Sequence, residues 1–259
     1  MAMRVIEGRH GRFLCQDNDR YVGRSLAAYG EYSEAEVALL ARFLAPGGVV
    51  VEAGANVGAH TVPLARLVGR EGKVFAFEPQ RLVFQMLCGN LALNEIENAY
   101  AFAMGLADRP GQARVPVIGY GAEANYGGVE LGNEEGEAVS IGTVDLLRLD
   151  RLDLLKADVE GTEELVLRGA EATIRQARPV LYLENDRREK SPALLAYLQS
   201  LGYRAWWHVP RLFSPDNYLR NEQDLFGTIA SVNILCRHAV DAHPVPDLQP
   251  VAAPDEWPL

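Results

Sequence analysis

Cysteine is scarce in this chain. Cys15, Cys88 and Cys236 are its three cysteines in 259 residues, and no Cys-x-x-Cys pair occurs. That argues against a disulfide framework or a structural zinc site and fits reduced thiols in the cytoplasm. Long apolar runs are missing as well: none approaches the roughly 20 residues that a bilayer span needs. Residues 1–12 carry charges but no apolar core, so they do not read as a signal peptide. The expectation is a cytoplasmic protein with no membrane partner. Positive charge is in deficit, with 25 Lys and Arg against 35 Asp and Glu, a formal net charge of −10. A nucleic-acid backbone or an anionic surface is therefore not expected as the main partner. The local trio Arg187, Arg188 and Lys190 reads as a solvated helix entrance. What remains, 48% hydrophobic and 23% charged residues, is ordinary for one α/β domain with embellishments.

The chain is organised around Val49-Val50-Val51-Glu52-Ala53-Gly54-Ala55-Asn56-Val57-Gly58. Three β-branched residues in a row predict a strand buried on both faces. The glycines then let a small molecule reach bare backbone before a helix over residues 60–68. A second strand, residues 73–77, ends in Glu78-Pro79, where a carboxylate would accept the two hydroxyls of an adenosine ribose. Glycine would have to stand at the first, third and sixth positions of a dinucleotide fingerprint, but the series is Gly54, Asn56, Ala59. No Lys-Ser/Thr pair of a phosphate-cradling loop follows either. Glu52-x-Gly54-x-x-x-Gly58 instead resembles the first motif of S-adenosylmethionine-dependent methyltransferases. That cofactor carries no phosphate and needs an acidic turn.

Along the chain, residues 3–22 predict a short hairpin outside the main sheet. A helix over 34–44 follows, with Ser33 and Glu36 as a capping box and Ala35, Leu39, Leu40 and Phe43 inward. After Glu78 a helix over 80–93 carries Leu82, Met86, Leu87 and Leu91 inward, and a third strand spans 98–104. Residues 110–140 are glycine-rich and acidic, and read as a hairpin insertion whose tip overhangs a ligand. A fourth strand, 154–157, runs into Asp158-Val159-Glu160-Gly161, and a helix over 162–177 buries Leu165, Val166, Ala170 and Ile174. A fifth strand, 179–183, ends in Glu184-Asn185-Asp186, and Ser191-Pro192 starts a helix to Leu201. Strands at 203–208 and 231–236 close the pattern. The proline-rich tail from His243 is expected along the surface or disordered. Strand ends that all carry acids or glycines place a ligand at one rim of an open parallel sheet.

Four motifs occur in order: Tyr29-Gly30-Glu31-Tyr32-Ser33, Val51 to Gly58, Phe77-Glu78-Pro79 and Leu155-Lys156-Ala157-Asp158-Val159-Glu160-Gly161. Together they resemble the FkbM family of S-adenosylmethionine-dependent methyltransferases, over residues 29–236. The resemblance implies a doubly wound, seven-stranded Rossmann-like methyltransferase sheet with an N-terminal hairpin and helix extension. It divides the chain into an extension (1–45), a methyltransferase domain (46–240) and a tail (241–259). It also implies transfer to oxygen, on a hydroxyl of a small metabolite, sugar or glycan. Glu52 stands where the family commonly has Asp. The cofactor's methionine portion is expected against Glu52, Gly54, Ala55, Asn56 and Gly58, and its ribose on Glu78 beside Pro79. Adenine is expected near Gly105, Leu106 and Asp108, and the reacting end at Asp158.

Methyl transfer to a hydroxyl needs alignment and a proton acceptor. Asp158, Glu160 and His208 are the catalytic candidates, with Glu184 beside them. For His208 the plain alternative is a half-buried histidine beside Trp206 and Trp207. Asp158, Glu184 and Asn185 could converge on Mg²⁺, as similar carboxylates do in catechol-type methyltransferases. Alternatively, Glu184 and Asp186 only cap the next turn and meet Arg187 or Arg188. Tyr32, Trp207, Asn217 and Asn233 are candidate acceptor contacts, although aromatics at this density also serve as core. Two other readings stay open at this point: a non-catalytic cofactor-binding regulator or partner subunit, and a dehydrogenase with an unusual glycine turn.

Overall fold

The computed structural model describes residues 3–130, 132, 135–241 and 243–258. The expectations for residues 1, 2, 131, 133, 134, 242 and 259 lie outside the described residues. Strand β1 (Met3–Gly8) pairs antiparallel with β2 (Gly11–Gln16) as a separate hairpin. Helices α1 (Val22–Tyr29) and α2 (Glu34–Leu40) follow. The parallel core comprises β3 (Val49–Ala53), β4 (Lys73–Phe77), β5 (Ala99–Phe102), β9 (Leu154–Ala157) and β10 (Val180–Glu184). Helices α3 (Thr61–Val68), α4 (Arg81–Leu93), α5 (Glu163–Arg168), α6 (Glu171–Ala177) and α7 (Ser191–Ser200) flank it. A small second sheet holds β6 (Met104–Leu106), β7 (Gly111–Val115) and β8 (Glu137–Gly142). The main sheet is completed by β11 (Tyr203–His208), β12 (Asn233–His238) and β13 (Gln249–Pro250), in the order β13-β11-β12-β10-β9-β3-β4-β5.

Burial on both faces explains the strand sequences. Val50 packs with Leu64, Leu154 and Leu235 on one side, whereas Val51 packs with Leu155, Val166 and Leu181 on the other. Each such side chain, fully buried, contributes about 1.5–3 kcal/mol. The register then does the functional work. Ala53 is level with Phe77 and Ala157, and Ala157 with Leu183. The next residues, Gly54, Glu78, Asp158 and Glu184, therefore share one rim. Asn233 pairs with Glu184 from the antiparallel β12. Among the described residues, no helix is long and apolar enough to cross a membrane.

The hairpin is clamped to this frame by Asn90 of α4. Its Oδ1 accepts from Leu14 N at 2.6 Å, while its Nδ2 donates to Leu14 O at 3.1 Å and Val57 O at 2.8 Å.

Several expectations need correction. The main sheet has eight strands rather than seven, because the tail adds β13 to the edge of β11. Val251 N donates to Ala205 O at 2.9 Å, and the Trp257 ring meets Trp207 with centroids 5.9 Å apart. An edge strand rich in aromatic residues is thereby covered. The helix predicted over 162–177 breaks at Gly169, where a Cβ would sit 1.9 Å from Ala107 O. Gly169 O accepts from Asp145 N instead, and Asp145 carboxylate oxygens cap Ala172 N and Thr173 N. Leu167 is buried there, and Leu165 is exposed. The predicted third strand splits between β5 and β6, which lie in different sheets.

In α2, which ends at Leu40, Glu36 and Val37 face inward while Ala35 is exposed. Ser33 adopts φ 44° and its hydroxyl donates to the Glu36 carboxylate at 2.7 Å, so no capping box forms. Val83 rather than Leu82 takes the buried position in α4. The insertion is a hairpin, β7 against β8. Its long loop is held down where Gln80 Nε2 donates to Tyr126 O at 2.7 Å and Asn18 Nδ2 to Tyr120 O at 3.0 Å.

Candidate functional site

The turn after β3 is shaped by close approach. Gly54 has φ +80°, and a Cβ there would lie 1.9 Å from Asp158 O. Only glycine lets the tips of β3 and β9 touch. Gly54 N and Ala55 N both donate to Phe77 O, at 3.0 and 2.9 Å, which locks the turn onto the end of β4. Asn56 (φ 49°) and Gly58 (φ 86°) continue the left-handed path into α3. Gly58 is packed behind the turn, where a Cβ would meet Leu87 Cδ1 at 2.8 Å.

Glu78 stands at the mouth of the turn, 3% exposed. Its Oε2 accepts from Asn56 N at 3.0 Å and its Oε1 from Gln80 N at 2.8 Å. Two backbone donors fix the carboxylate and leave each oxygen a free lone pair. Burial pushes its pKa up to about 7, against those two hydrogen bonds. A narrow cleft of 40 Å³ runs beside it, lined by Gly54, Pro79, Gly105, Leu106, Val129 and Asp158 among others. Asp108 is exposed and lies outside this cleft.

Lys156, in the middle of a strand with both faces covered, is 2% exposed. Its Nζ lies 3.5 Å from Asp158 Oδ2 and 3.9 Å from Glu52 Oε1. Burial would lower its pKa, but Asp158, Glu52, Glu36 and Glu184 outweigh that and hold it raised. Glu52 does not reach the cavity. Its Oε2 accepts from Thr61 Oγ1 at 2.6 Å, and burial pushes its pKa up to about 7. Glu52 therefore anchors Lys156, and Lys156 is the residue that lines the cavity.

The turn after β9 has Glu160 at φ 57° and Gly161 at φ 88°. Glu163, 4% exposed, holds it: its Oε1 accepts from Val159 N at 3.0 Å and Gly161 N at 3.1 Å. Arg187 Nη2 donates to Glu160 Oε2 at 2.5 Å, and Nη1 pairs with Asp186. Asp158, Glu160 and Glu184 each place an oxygen within 4.8 Å of the others. Burial, then Asp158, raises Glu160 to about 7, and Glu184 well above the usual carboxylate range. Glu184 Oε2 is buried with no hydrogen-bond partner. Asn185 turns away from this group, because its Nδ2 donates to Ser191 Oγ at 2.9 Å at the start of α7.

A cavity of 320 Å³ joins these pieces. Gly54–Asn56, Lys156, Asp158, Glu160, Glu184 and Arg187 line it, together with Asn125, Gly127 and Gly128 of the insertion. Tyr32, His60 and Asn233 line it too, with Tyr21, Val22, Leu212 and residues 229–232. Three further expected residues are elsewhere. His208 hydrogen-bonds Tyr182 OH through Nδ1 at 2.7 Å, and burial lowers its pKa to about 4. Trp207 belongs to the core on the α7 side of the sheet. Asn217 organises its own loop, donating to Ser214 O and Asn221 O at 2.8 Å each. Sequence reasoning missed Lys156, Glu163 and His60, and named Arg187 only as a partner for Glu184 or Asp186, of which Asp186 meets it. The lysine inside a buried strand was the one legible signal among them.

Comparison with known proteins bears on this geometry. Residues 52–205 match the methyltransferase FkbM domain. The methyltransferase sdnD of Sordaria araneosa is 30% identical over 156 residues, covering 47% of this chain and 60% of that protein. The chain thus spans less than two thirds of that relative. A methyltransferase FkbM structure from Methylobacillus flagellatus superposes with a TM-score of 0.49 at 18% identity, covering 73% of this chain and 43% of that one. A SAM-dependent O-methyltransferase from Thermotoga maritima gives 0.47 at 15% identity, covering 81% and 67%. The domain match begins at Glu52, spans Gly54, Glu78, Asp158 and Glu184, and takes in more than half of the chain; this protein belongs to the methyltransferase FkbM family.

Proposed function

We propose that the chain transfers a methyl group from S-adenosylmethionine to a hydroxyl of a small molecule or glycan. The observation that carries this reading is Glu78, a buried carboxylate held by two backbone N–H groups beside a glycine turn. The residues fit the cofactor. Glu78 would accept the ribose hydroxyls, Gly105 and Leu106 would border the adenine, and Gly54, Ala55 and Asn56 would hold the methionine portion. The cofactor supplies an electrophilic methyl on a sulfonium, and the sulfur keeps the bonding pair as the thioether forms.

This chain's residues then have to align the acceptor and take its proton. Asp158 is the proton acceptor, because it lines both the cleft and the cavity. Lys156 Nζ lies 3.5 Å from its Oδ2 and holds that carboxylate in place. Glu160 is occupied by Arg187 and positions the turn. A nucleic-acid acceptor is disfavoured by the carboxylates that border the cavity.

A divalent cation is a second reading, favoured by the convergence of Asp158, Glu160 and Glu184. Arg187 already neutralises Glu160 in the present arrangement. Calorimetric titration with S-adenosylhomocysteine, with and without Mg²⁺, tests both. Micromolar binding is expected in wild type and no heat in Glu78→Ala; no binding to wild type overturns the reading. A separate Mg²⁺ titration that shows a site lost in Glu184→Gln would favour the cation.

A further inference from the structure

His60 lines the cavity 5% exposed, and its Nε2 is buried without a hydrogen-bond partner. Leaving a buried polar nitrogen unsatisfied is costly unless something that enters the cavity completes it. Tyr32 is tilted against the ring with centroids 5.5 Å apart. Burial, then Lys156, holds its pKa well below the usual histidine range. The imidazole is therefore neutral at pH 7 and keeps one lone pair to accept an O–H.

Neither His60 nor Tyr32 borders the cleft at Glu78. Both line the larger cavity, as do the apolar residues Val22, Leu212, Ile229 and Val232. The same cavity is lined by Asp158, Glu160, Glu184 and Asp186, while Lys156 is shared between Glu52 and Asp158 and Arg187 between Glu160 and Asp186. Neither cation is left over for an anionic guest, which would find no free positive partner in this lining.

We propose that His60 is the acceptor-binding residue, taking a hydrogen bond from an uncharged hydroxyl whose apolar body lies against Val22, Leu212, Ile229 and Val232. The proposal rests on the methyl-transfer reading above and narrows its acceptor.

The test uses the full chain saturated with S-adenosylhomocysteine at pH 7, titrated with 2-naphthol and with its anionic counterpart 2-naphthoate. Wild type is expected to bind 2-naphthol at least tenfold more tightly than 2-naphthoate. His60→Ala should weaken 2-naphthol at least tenfold while S-adenosylhomocysteine affinity stays within twofold, which also reports that the variant is folded. His60→Gln, which keeps an acceptor oxygen, should recover part of the loss. Ile229→Asp, at a position 41% exposed, should weaken 2-naphthol by a similar factor. Three results would each overturn the proposal: no preference for 2-naphthol in wild type, unchanged 2-naphthol binding in His60→Ala, or a parallel loss of S-adenosylhomocysteine in that variant. Failure of wild type to bind S-adenosylhomocysteine would instead remove the methyltransferase reading itself.

Discussion

Replacing Glu78 by glutamine changes one atom and removes the charge, so it isolates what the carboxylate does. In the wild type both oxygens accept, one from Asn56 N and one from Gln80 N. Glutamine has a single acceptor oxygen, and its NH₂ must face the other backbone N–H. A buried backbone N–H is left unpaired, a cost of about 1–3 kcal/mol in stability that shows in full below pH 7 and is offset above it, because burial already disfavours the charge that glutamine removes. The ribose loses one of its two acceptors as well. At about 1.5–3 kcal/mol for a bond to a charged group, S-adenosylhomocysteine should bind roughly 10- to 150-fold more weakly.

The pH dependence carries the same signature. Burial raises Glu78 to about 7, so below that pH the free protein holds a proton that the ribose hydroxyls must displace. Affinity should fall as pH drops below 7 by up to about tenfold per unit, and Glu78→Gln should lose that component of the slope. Urea denaturation and calorimetry between pH 5.5 and 8.5 measure both effects. A glutamine variant with wild-type stability and wild-type affinity would refute the reasoning.

Gly54→Ala should be more damaging than its size suggests. The left-handed φ and the 1.9 Å approach to Asp158 O leave no space for a methyl. A loss above about 3 kcal/mol is expected by urea denaturation, and a value near 1 would mean the turn relaxes freely. Lys156→Met strips the cation from between Glu52 and Asp158. Breaking such a buried group should cost about 3–5 kcal/mol at pH 8, and less at pH 5, where Glu52 is protonated; equal losses at the two pH values would count against this account.

The free protein should also be less stable at pH 8 than at pH 5. Glu52, Glu78, Glu160 and Glu163 are all raised to about 7, chiefly by burial. Folded, they bind protons that the unfolded chain releases near 4.5. Their contribution is thus complete below that value and lost as pH rises through 7. Thermal melts across this range that rise toward pH 8 would contradict it.

Much of the site was legible because it is made from strand ends. An apolar strand announces itself in sequence, and the residue after it must lie on the rim, so Gly54, Glu78, Asp158 and Glu184 could be placed in advance. Roles within the rim were harder, because they depend on which way neighbours point. Glu52 looks like a cofactor contact until Lys156 and Thr61 are seen around it. The place of His60 and residues 229–232 in the cavity was hidden for a different reason: they meet Tyr32 there through loops without periodicity. Long-range contacts also defeated local reading. Gly169 breaks a helix only because Ala107 O passes beside it, and two residues of the tail form a strand only because β11 offers an edge. The Ser33–Glu36 spacing promised a capping box, but a buried Glu36 draws the hydroxyl to its own carboxylate.

The most direct measurement is a crystal structure of the protein with S-adenosylhomocysteine. The account predicts both ribose hydroxyls within about 3.2 Å of the Glu78 carboxylate, the adenine between Leu106 and Val129, and the sulfur facing Asp158 with His60 beyond it. A ligand bound away from the β3–β4 rim, or a ribose that leaves Glu78 untouched, would contradict it.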